Sequence, residues 1–405
     1  MPNIITDKEK IEEVLTRSVD RIYPTKQALE ELLSSGKQIK VYVGIDPTAD
    51  YVHLGHSTNY LVLERLWKLG HKIIVLVGDF TAMIGDPSDK TAARAPLTKE
   101  QVRDNLKSFK EQIGKILDFQ DLENPVDFVY NSAWLSVLDF GKLVELASHF
   151  TVQQMLERDM FEKRLKDNKP LYVHEFFYPL LQGYDSVALE VDLEVGGTDQ
   201  TFNMLAGRTL ARRYLNREKF VLTTPLLVNP ITNEKLMSKS AGTGIGLNES
   251  PENMFGKVMA LPDESVLQVF RDCTRVSVDE IEQKKLRLER GENPRNVKLE
   301  LAREVTALYH GASASAAAEH RWKQIFSEKK IPDVIPEVRV EKEKQLVDVL
   351  VEQQFTKSKT EARRLFGQGA VEFDETVVKD VSFVLDHEGI LRVGKKVLVR
   401  VAIHN

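Results

Sequence analysis

The chain has 405 residues, and its 56 Lys and Arg against 61 Asp and Glu give a formal charge of -5. That near-balance excludes a wholly basic nucleic-acid coat, though not one local basic face. Hydrophobic residues at 42% and charged residues at 29% exclude a disordered chain and fit a globular one of two or three domains. A single cysteine, Cys273, excludes an internal disulfide framework and a Cys-based zinc site, and is expected to be a small buried hydrophobe. The opening MPNIITDKEKIEEV lacks an apolar core of the secretory kind, and the run IIVLV at 73–77 is far short of the ~20 residues that cross a bilayer. A cytoplasmic protein without a membrane partner is the expectation.

From 7 to 34 apolar residues recur at helical spacing, with Pro24 dividing two predicted helices. Apolar, β-branched runs follow at 40–46, 72–79, 126–131, 193–197 and 219–227, separated by helical patterns such as NYLVLERLWKLG at 59–70. Strands alternating with helices predict an α/β fold, a parallel sheet with helices on both faces and a ligand site at the carboxyl ends of its strands. After about 250 the pattern is helical. The stretch 284–303 sets seven basic residues (Lys284, Lys285, Arg287, Arg290, Arg295, Lys298, Arg303) against three acids, a solvated face or an RNA phosphate contact. Residues 327–344, with two prolines and many charges, are expected to form a linker. Beyond it QLVDVLVEQ resumes a helical pattern, and Ser358 with Glu361 forms a capping box that opens a basic helix. The short strands VEFD, VVKD and LRVGKKVLVRV complete a small α+β tail, in which eleven basic residues oppose eleven acidic ones over 341–405.

Two local signals carry chemistry. In VGIDPTADYVHLGHSTNYLVLERL a predicted strand ends at Gly44-Ile45-Asp46-Pro47, and His53-Leu54-Gly55-His56 opens an amphipathic helix. Free N–H groups at a helix start attract phosphate, imidazoles can donate to phosphate oxygens, and Gly55 would let a flat ring approach the backbone. Metal ligation by the two histidines would need a third ligand that the local sequence does not nominate, and surface or packing histidines remain the bland alternative. About 180 residues later, Lys235-Leu236-Met237-Ser238-Lys239-Ser240 precedes AGTGIG, a lysine-bearing flexible loop able to close over a triphosphate. There is no Gly-x-x-x-x-Gly-Lys-Ser/Thr, so ATP would be held without a P-loop.

The pair of motifs, in this order around a parallel sheet, resembles the HIGH and KMSKS signatures of class I aminoacyl-tRNA synthetases. VGIDPTADYVHLGH (43–56), MIGDPSDKTAAR (83–94), YPLLQGYDS (178–186) and VGGTDQTFN (195–203) narrow the resemblance to the bacterial tyrosyl-tRNA synthetase family. NPRNVKLELAREVTALYHG (293–311) resembles the family's helical domain. The resemblance implies a Rossmann-like catalytic domain over 1–245, a helical domain over 246–326, the linker 327–344, and an RNA-binding tail of the ribosomal S-four type over 345–405. The family's loop usually begins with lysine, where this chain has Leu236, with Lys235 one place earlier.

By the same resemblance, Tyr42 and Asp185 read the phenol of L-tyrosine, supplying the donor and acceptor that a buried hydroxyl needs. Phenylalanine would leave those groups unpaired. Asp86, Tyr178 and Gln182 hold the substrate ammonium; Tyr178, Gln182 and Asp185 at i, i+4 and i+7 share one helix face. Asp46, Asp199 and Gln200 line the ribose and adenylate, Gly55 meets the adenine, and Gly44, Met237, Ser238 and Ser240 complete the ATP site. Thr48, His53 and His56 meet the phosphates, and Lys90, Arg94 and Lys239 the departing pyrophosphate. The implied reaction is attack of the tyrosine carboxylate on the α-phosphorus of ATP, then transfer of tyrosine to the terminal adenosine of tRNA(Tyr). It needs no prosthetic group and no protein metal ligand; Mg2+ is expected on the phosphates. A homodimer is expected through roughly 133–165, including LSVLDFGKLVEL, a stretch that periodicity alone would read as a core helix. The alternatives are a tryptophanyl-tRNA synthetase, which lacks the tail, and a catalytically silent RNA-binding relative.

Overall fold

A computed structural model describes residues 3–86, 97–237, 243–326, 336–356, 358–374, 376–394 and 397–404. The chain divides into two compact units, Met1–Glu249 with Glu264–Glu292, and Ser250–Asp263 with Asn293–Asn405. The first is built on a six-stranded sheet of β1 (Arg21–Tyr23), β2 (Lys40–Ile45), β3 (Lys72–Val77), β4 (Asp127–Tyr130), β5 (Leu193–Gly197) and β6 (Phe220–Thr224). The spatial order is β1-β6-β5-β2-β3-β4. All pairs are parallel except β1 with β6. Five of the six strands fall on the predicted apolar runs; strands covered on both faces are apolar nearly throughout, and every residue of β6 is buried, whereas the edge strand β4 is only partly buried.

The N-terminal segment departs from the two helices divided by Pro24. Helices Lys8–Thr16 and Lys26–Ser34 form, but β1 lies between them and pairs with β6 in the register Arg21↔Thr223 to Tyr23↔Val221. Three residues with no apolar alternation carry no strand signal of their own; the exposed edge of β6 makes the strand.

Strand succession runs from β2 through β3 to β4 in one direction and from β5 to β6 in the other, so the sheet has its topological switch between β2 and β5. That is where an open parallel sheet leaves a crevice at the carboxyl ends of its strands. Helix Leu54–Lys68 follows β2, and the short turn Thr198–Gln200 with helix Thr201–Tyr214 follows β5. Helix Phe140–Ser148, from the stretch that periodicity alone would read as core, buries only Leu146, while Val137, Phe140, Val144 and Val152 are exposed. Cys273 is fully buried near Leu54 and Thr58, and burial pushes its thiol up to about 12.

Helices Val266–Cys273 and Val278–Glu289 lie in the first unit, so the division runs through the stretch 246–326 read from the sequence as one helical domain. The second unit contains helices Pro251–Met259, Pro294–His310 and Ala312–Phe326. Part of the basic run is spent on internal contacts. Lys298 is buried, donates to the Leu261 carbonyl at 2.6 Å and pairs with Asp263; Arg303 makes two bonds of 2.7 Å to Glu319, which hold that carboxyl down at about 2.

The α+β tail packs helices Leu346–Glu352 and Lys359–Gly367 against a five-stranded sheet, with Leu346, Leu350, Phe366, Phe373 and Leu391 in its core. Its strands are β7 (Glu337–Glu341), β9 (Val371–Phe373), β10 (Thr376–Val377), β12 (Gly389–Val393) and β13 (Val397–His404); β8 (Lys344–Gln345) pairs separately with β11 (Val384–Leu385). Here the linker reading of 327–344 is corrected for its second half, while residues 327–335 lie outside the described residues. Glu337–Glu341 is an edge strand of the sheet paired in parallel with β13, and its pattern EVRVE alternates because Val338 and Val340 face the tail core while the charged residues face outward. Ser358 caps the second tail helix by accepting from the Glu361 amide at 3.2 Å.

Candidate active-site cleft

At the end of β2, Asp46 accepts from the Thr81 hydroxyl at 2.8 Å and from the Tyr178 hydroxyl at 2.9 Å. The chain then turns into helix Leu54–Lys68, whose N-cap is His53. The His53 amide donates to His56 Nδ1 at 3.1 Å, and the two imidazoles stack with centroids 3.7 Å apart. Ile245–Leu247, which follows the second motif in the chain, is stitched against this turn. Leu54 donates to the Ile245 carbonyl at 3.0 Å, and Leu247 to the Val52 carbonyl at 2.7 Å. A Cβ on Gly55 would lie 3.3 Å from Met237 and 3.1 Å from the His53 ring, so a glycine keeps that face narrow. The two sequence motifs therefore meet in space.

The strand-like segment before the loop settles which of Lys235 and Leu236 reaches the cleft. Leu236 is buried and its amide donates to Leu227 at 2.9 Å, whereas Lys235 lines the cleft with Nζ 3.6 Å from Asp199.

At the other end, helix Phe177–Ala188 presents Tyr178, Gln182 and Asp185 on one face. Tyr42 is fully buried and its hydroxyl lies 2.9 Å from Ser186 Oγ. Asp185 accepts from the Trp134 indole at 2.7 Å and from the Asn131 amide at 3.2 Å. Burial pushes the Asp185 carboxyl well above the usual carboxylate range, against the pull of those two donors. Burial likewise raises the phenols of Tyr42, near Glu194 and Asp185, and of Tyr178, near Asp46 and Asp86. Asp86 accepts from Arg158 at 3.0 Å and from Gln200 at 2.8 Å. Gln182 donates to Glu194 at 3.1 Å, and Glu194 forms a buried ion pair with Lys219.

One cleft of about 340 Å³ is lined by Tyr42, Gly44, Asp46, Thr48, His53, Gly55 and His56 from the first motif region. Asp86, Tyr178, Gln182, Asp185, Asp199, Gln200 and Met237 complete the predicted set within it. Lys90, Arg94, Ser238, Lys239 and Ser240 fall outside the described residues. Sequence reasoning missed Asn131, Trp134, Arg158, Ser186, Glu194 and Lys219. Asn131 had a signal, since it follows β4 as Asp46 follows β2. Among the described residues no group of three His, Cys, Asp or Glu is placed to hold a metal, and no helix is long and apolar enough to cross a membrane.

The chain matches the family model for class I tRNA synthetases (W and Y) over residues 34–327, and that for the tyrosine–tRNA ligase SYY-like C-terminal domain over 327–400. It is 42% identical to a tyrosine–tRNA ligase of Carboxydothermus hydrogenoformans, over 96% of this chain and 97% of that one. It is also 42% identical to one of Haemophilus influenzae, over 99% and 98%. The crystal structure of a C-terminally truncated Aspergillus nidulans mitochondrial tyrosyl-tRNA synthetase shares the fold, with TM-score 0.66 at 21% identity over 79% of this chain and 94% of that one. So does the Archaeoglobus fulgidus enzyme complexed with L-tyrosine, at TM-score 0.61 and 22% identity over 77% and 100%. The first family model spans tryptophan and tyrosine enzymes alike, but the C-terminal model and both full-length relatives are of the tyrosine kind, and the chain belongs to the tyrosine–tRNA ligases of class I.

Proposed function

We propose that the cleft at the β2–β5 switch is where this ATP-dependent ligase joins L-tyrosine to AMP, with the phenol at Asp185 and the phosphates at the start of helix Leu54–Lys68. The observation that carries the reading is the convergence of two polar ends in one cleft: Tyr42 and Asp185 buried at one, His53, Gly55 and His56 beside Met237 at the other. In this arrangement Tyr42 and Asp185 offer a phenol one donor and one acceptor. Asp86, Tyr178 and Gln182 surround the ammonium. Asp46, Asp199 and Gln200 face the ribose, with Gly44, Ser238 and Ser240 beside the nucleotide. Thr48, His53 and His56 meet the phosphates, and Lys90, Arg94 and Lys239 take up the charge of the leaving pyrophosphate. Lys235 joins them from beside Asp199.

No protein nucleophile is required. The tyrosine carboxylate attacks the α-phosphorus, the bond to pyrophosphate breaks, and the protein contributes orientation and charge stabilisation. Mg2+ accompanies ATP, neutralising phosphate charge while keeping most of its water. A ribose hydroxyl of the terminal adenosine of tRNA(Tyr) then attacks the tyrosyl carbonyl and AMP leaves. The same reading makes residues 345–405, with β7, an RNA-binding module of the ribosomal S-four type, the protein a homodimer and its compartment the cytoplasm. The exposed Val137, Phe140, Val144 and Val152 support a self-association surface.

Three experiments test the proposal. Exchange between ATP and pyrophosphate should depend on tyrosine; dependence on tryptophan alone would overturn it, and no adenylate with either would support the silent RNA-binding relative. Ending the chain at 326 should leave exchange nearly intact and sharply reduce charging of tRNA(Tyr). The cut belongs before β7, because ending at 344 leaves one strand of the tail sheet behind. Sedimentation at micromolar concentration tests the dimer, which a strict monomer would refute.

A further inference from the structure

Beneath the amino-acid end of the cleft lies a charged pair that the reaction does not touch. Tyr42 on β2 and Glu194 on β5 are register partners, so their side chains leave the sheet on the same face. Lys219, just before β6, is fully buried; its ammonium bonds the Glu194 carboxylate and the Met204 carbonyl at 3.1 Å, and lies 5.7 Å from the Tyr42 ring centroid. Helix Thr201–Tyr214 makes room for it with a glycine. A Cβ on Gly207 would stand 2.6 Å from both Lys219 Nζ and Ser186 Oγ. Removing two charges from water is costly and seldom stabilises a fold, which directs attention to what the pair holds in place.

It holds Gln182. We propose that Glu194 and Lys219 are positioning residues that fix which end of the Gln182 amide faces the ammonium of tyrosine. This rests on the assignment of Asp86, Tyr178 and Gln182 to the ammonium. A carboxylate only accepts. Glu194 Oε2 meets Lys219 and Oε1 meets Gln182 Nε2 at 3.1 Å, so the amide nitrogen of Gln182 is turned toward Glu194 and its oxygen is left for the cleft, which Gln182 lines. An ammonium carries three donors and no acceptor, so it binds that oxygen and is repelled by the opposite orientation. Lys219 also offsets the charge of Glu194 beside the phenol end.

The prediction is specific because an amide has one acceptor where a carboxylate has two. In E194Q the buried ammonium of Lys219 claims the only side-chain oxygen, the new NH2 group faces Gln182, and Gln182 reverses. The readout is the ratio of dissociation constants for L-tyrosine and for 3-(4-hydroxyphenyl)propionate, which lacks the amino group, titrated on the full chain. E194Q should cut the preference for tyrosine about 10–100-fold, with binding of the analogue little changed. E194Q/K219M frees the amide to offer its oxygen to Gln182 and should recover most of the preference, a rescue that a merely structural role does not give. Should E194Q not fold, E194Q/K219M and E194L/K219M, which leave no buried charge unpaired, replace it: the first should keep the preference and the second lose it. Equal ratios in those two doubles, or an unchanged ratio in E194Q while Asp86→Asn loses the preference, would overturn the proposal. If Asp86→Asn leaves the ratio unchanged, the ammonium assignment itself fails and the proposal falls with it.

Discussion

At the proposed phenol end of the cleft, Tyr42, Asp185, Ser186 and Glu194 are each at most 2% exposed and each bonded to another side chain. At the phosphate end, Thr48, His53, Gly55 and His56 are only half-buried, Asp199 is exposed, and the groups sit on a helix start and a loop. The two ends are solving different problems. Selecting one amino acid requires polar groups whose positions are fixed before it arrives, since an intruder is rejected by what it leaves unpaired. Admitting and releasing a polyanion requires access and movable charge. The phenol end should therefore answer to substitutions through tyrosine binding, and the phosphate end through the rate of the chemical step.

The strongest way to break that contrast is Asp185→Asn. The new amide cannot accept from Trp134, Asn131 and the phenol together, and its NH2 confronts donors. We expect a loss of about 3–4 kcal/mol in kcat/KM for tyrosine, on the order of several hundredfold. The tyrosine-dependent exchange assay reads it, and a loss confined to the KM for ATP would contradict the division between the ends.

Acid should act from the far side of the sheet. His71 precedes β3, away from the carboxyl-end cleft; its Nδ1 lies 3.5 Å from the Ile39 amide, and burial lowers its pKa from 6.5 to about 4. Between those values the unfolded chain binds a proton that the folded chain refuses. His71 is thus without penalty above pH 6.5, and stability is lost as pH falls toward 4, by about 3 kcal/mol over the window. Denaturant unfolding at a series of pH values should show the decline, and His71→Asn should flatten it.

What the sequence disclosed follows the same physics. The runs of β2, β3, β5 and β6 were legible because a strand covered on both faces is apolar nearly throughout, and the motif residues were legible because they sit where those strands end. β1 and β7 were not. RIY is too short to show a period, and EVRVE is an edge strand whose outward half is charged, which made it look like linker. Glu194 and Lys219 were overlooked because a charge beside a strand usually signals solvent; here Glu194 stands inside an otherwise apolar run, and a charge there demands a buried partner. Trp134 and Arg158 come from the insertion after β4, and only the folded chain brings them to Asp185 and Asp86.

The phosphate end is sharpened by Lys239→Ala. On the proposed assignment, developing charge on the departing pyrophosphate loses one cation, so kcat for exchange should fall by about 2 kcal/mol, roughly thirtyfold, with tyrosine binding unchanged. Equilibrium titration with tyrosine supplies the control, and a weakened tyrosine affinity would show that the loop and the phenol end are coupled.

Trp134→Phe probes the phenol end most gently. The ring is nearly conserved in shape, so packing against Tyr42, Ile74, Leu76 and Val191 survives, while the indole N–H that holds one Asp185 oxygen at 2.7 Å is removed. Asn131 still holds the other oxygen, and a freed carboxylate oxygen remains available to the phenol. The expected cost is that of one hydrogen bond to a carboxyl group whose second anchor persists, about 1 kcal/mol, or near fivefold. It should appear in KM for tyrosine and not in kcat, because the bond positions Asp185 equally in the ground state and the transition state. The pH at which tyrosine binding titrates should also rise, since losing a donor to the charged form favours the protonated acid. A fall in kcat with unchanged KM would mean that Asp185 is not set in place before the substrate arrives, and the contrast between a pre-formed, buried phenol end and a more open phosphate end would fail.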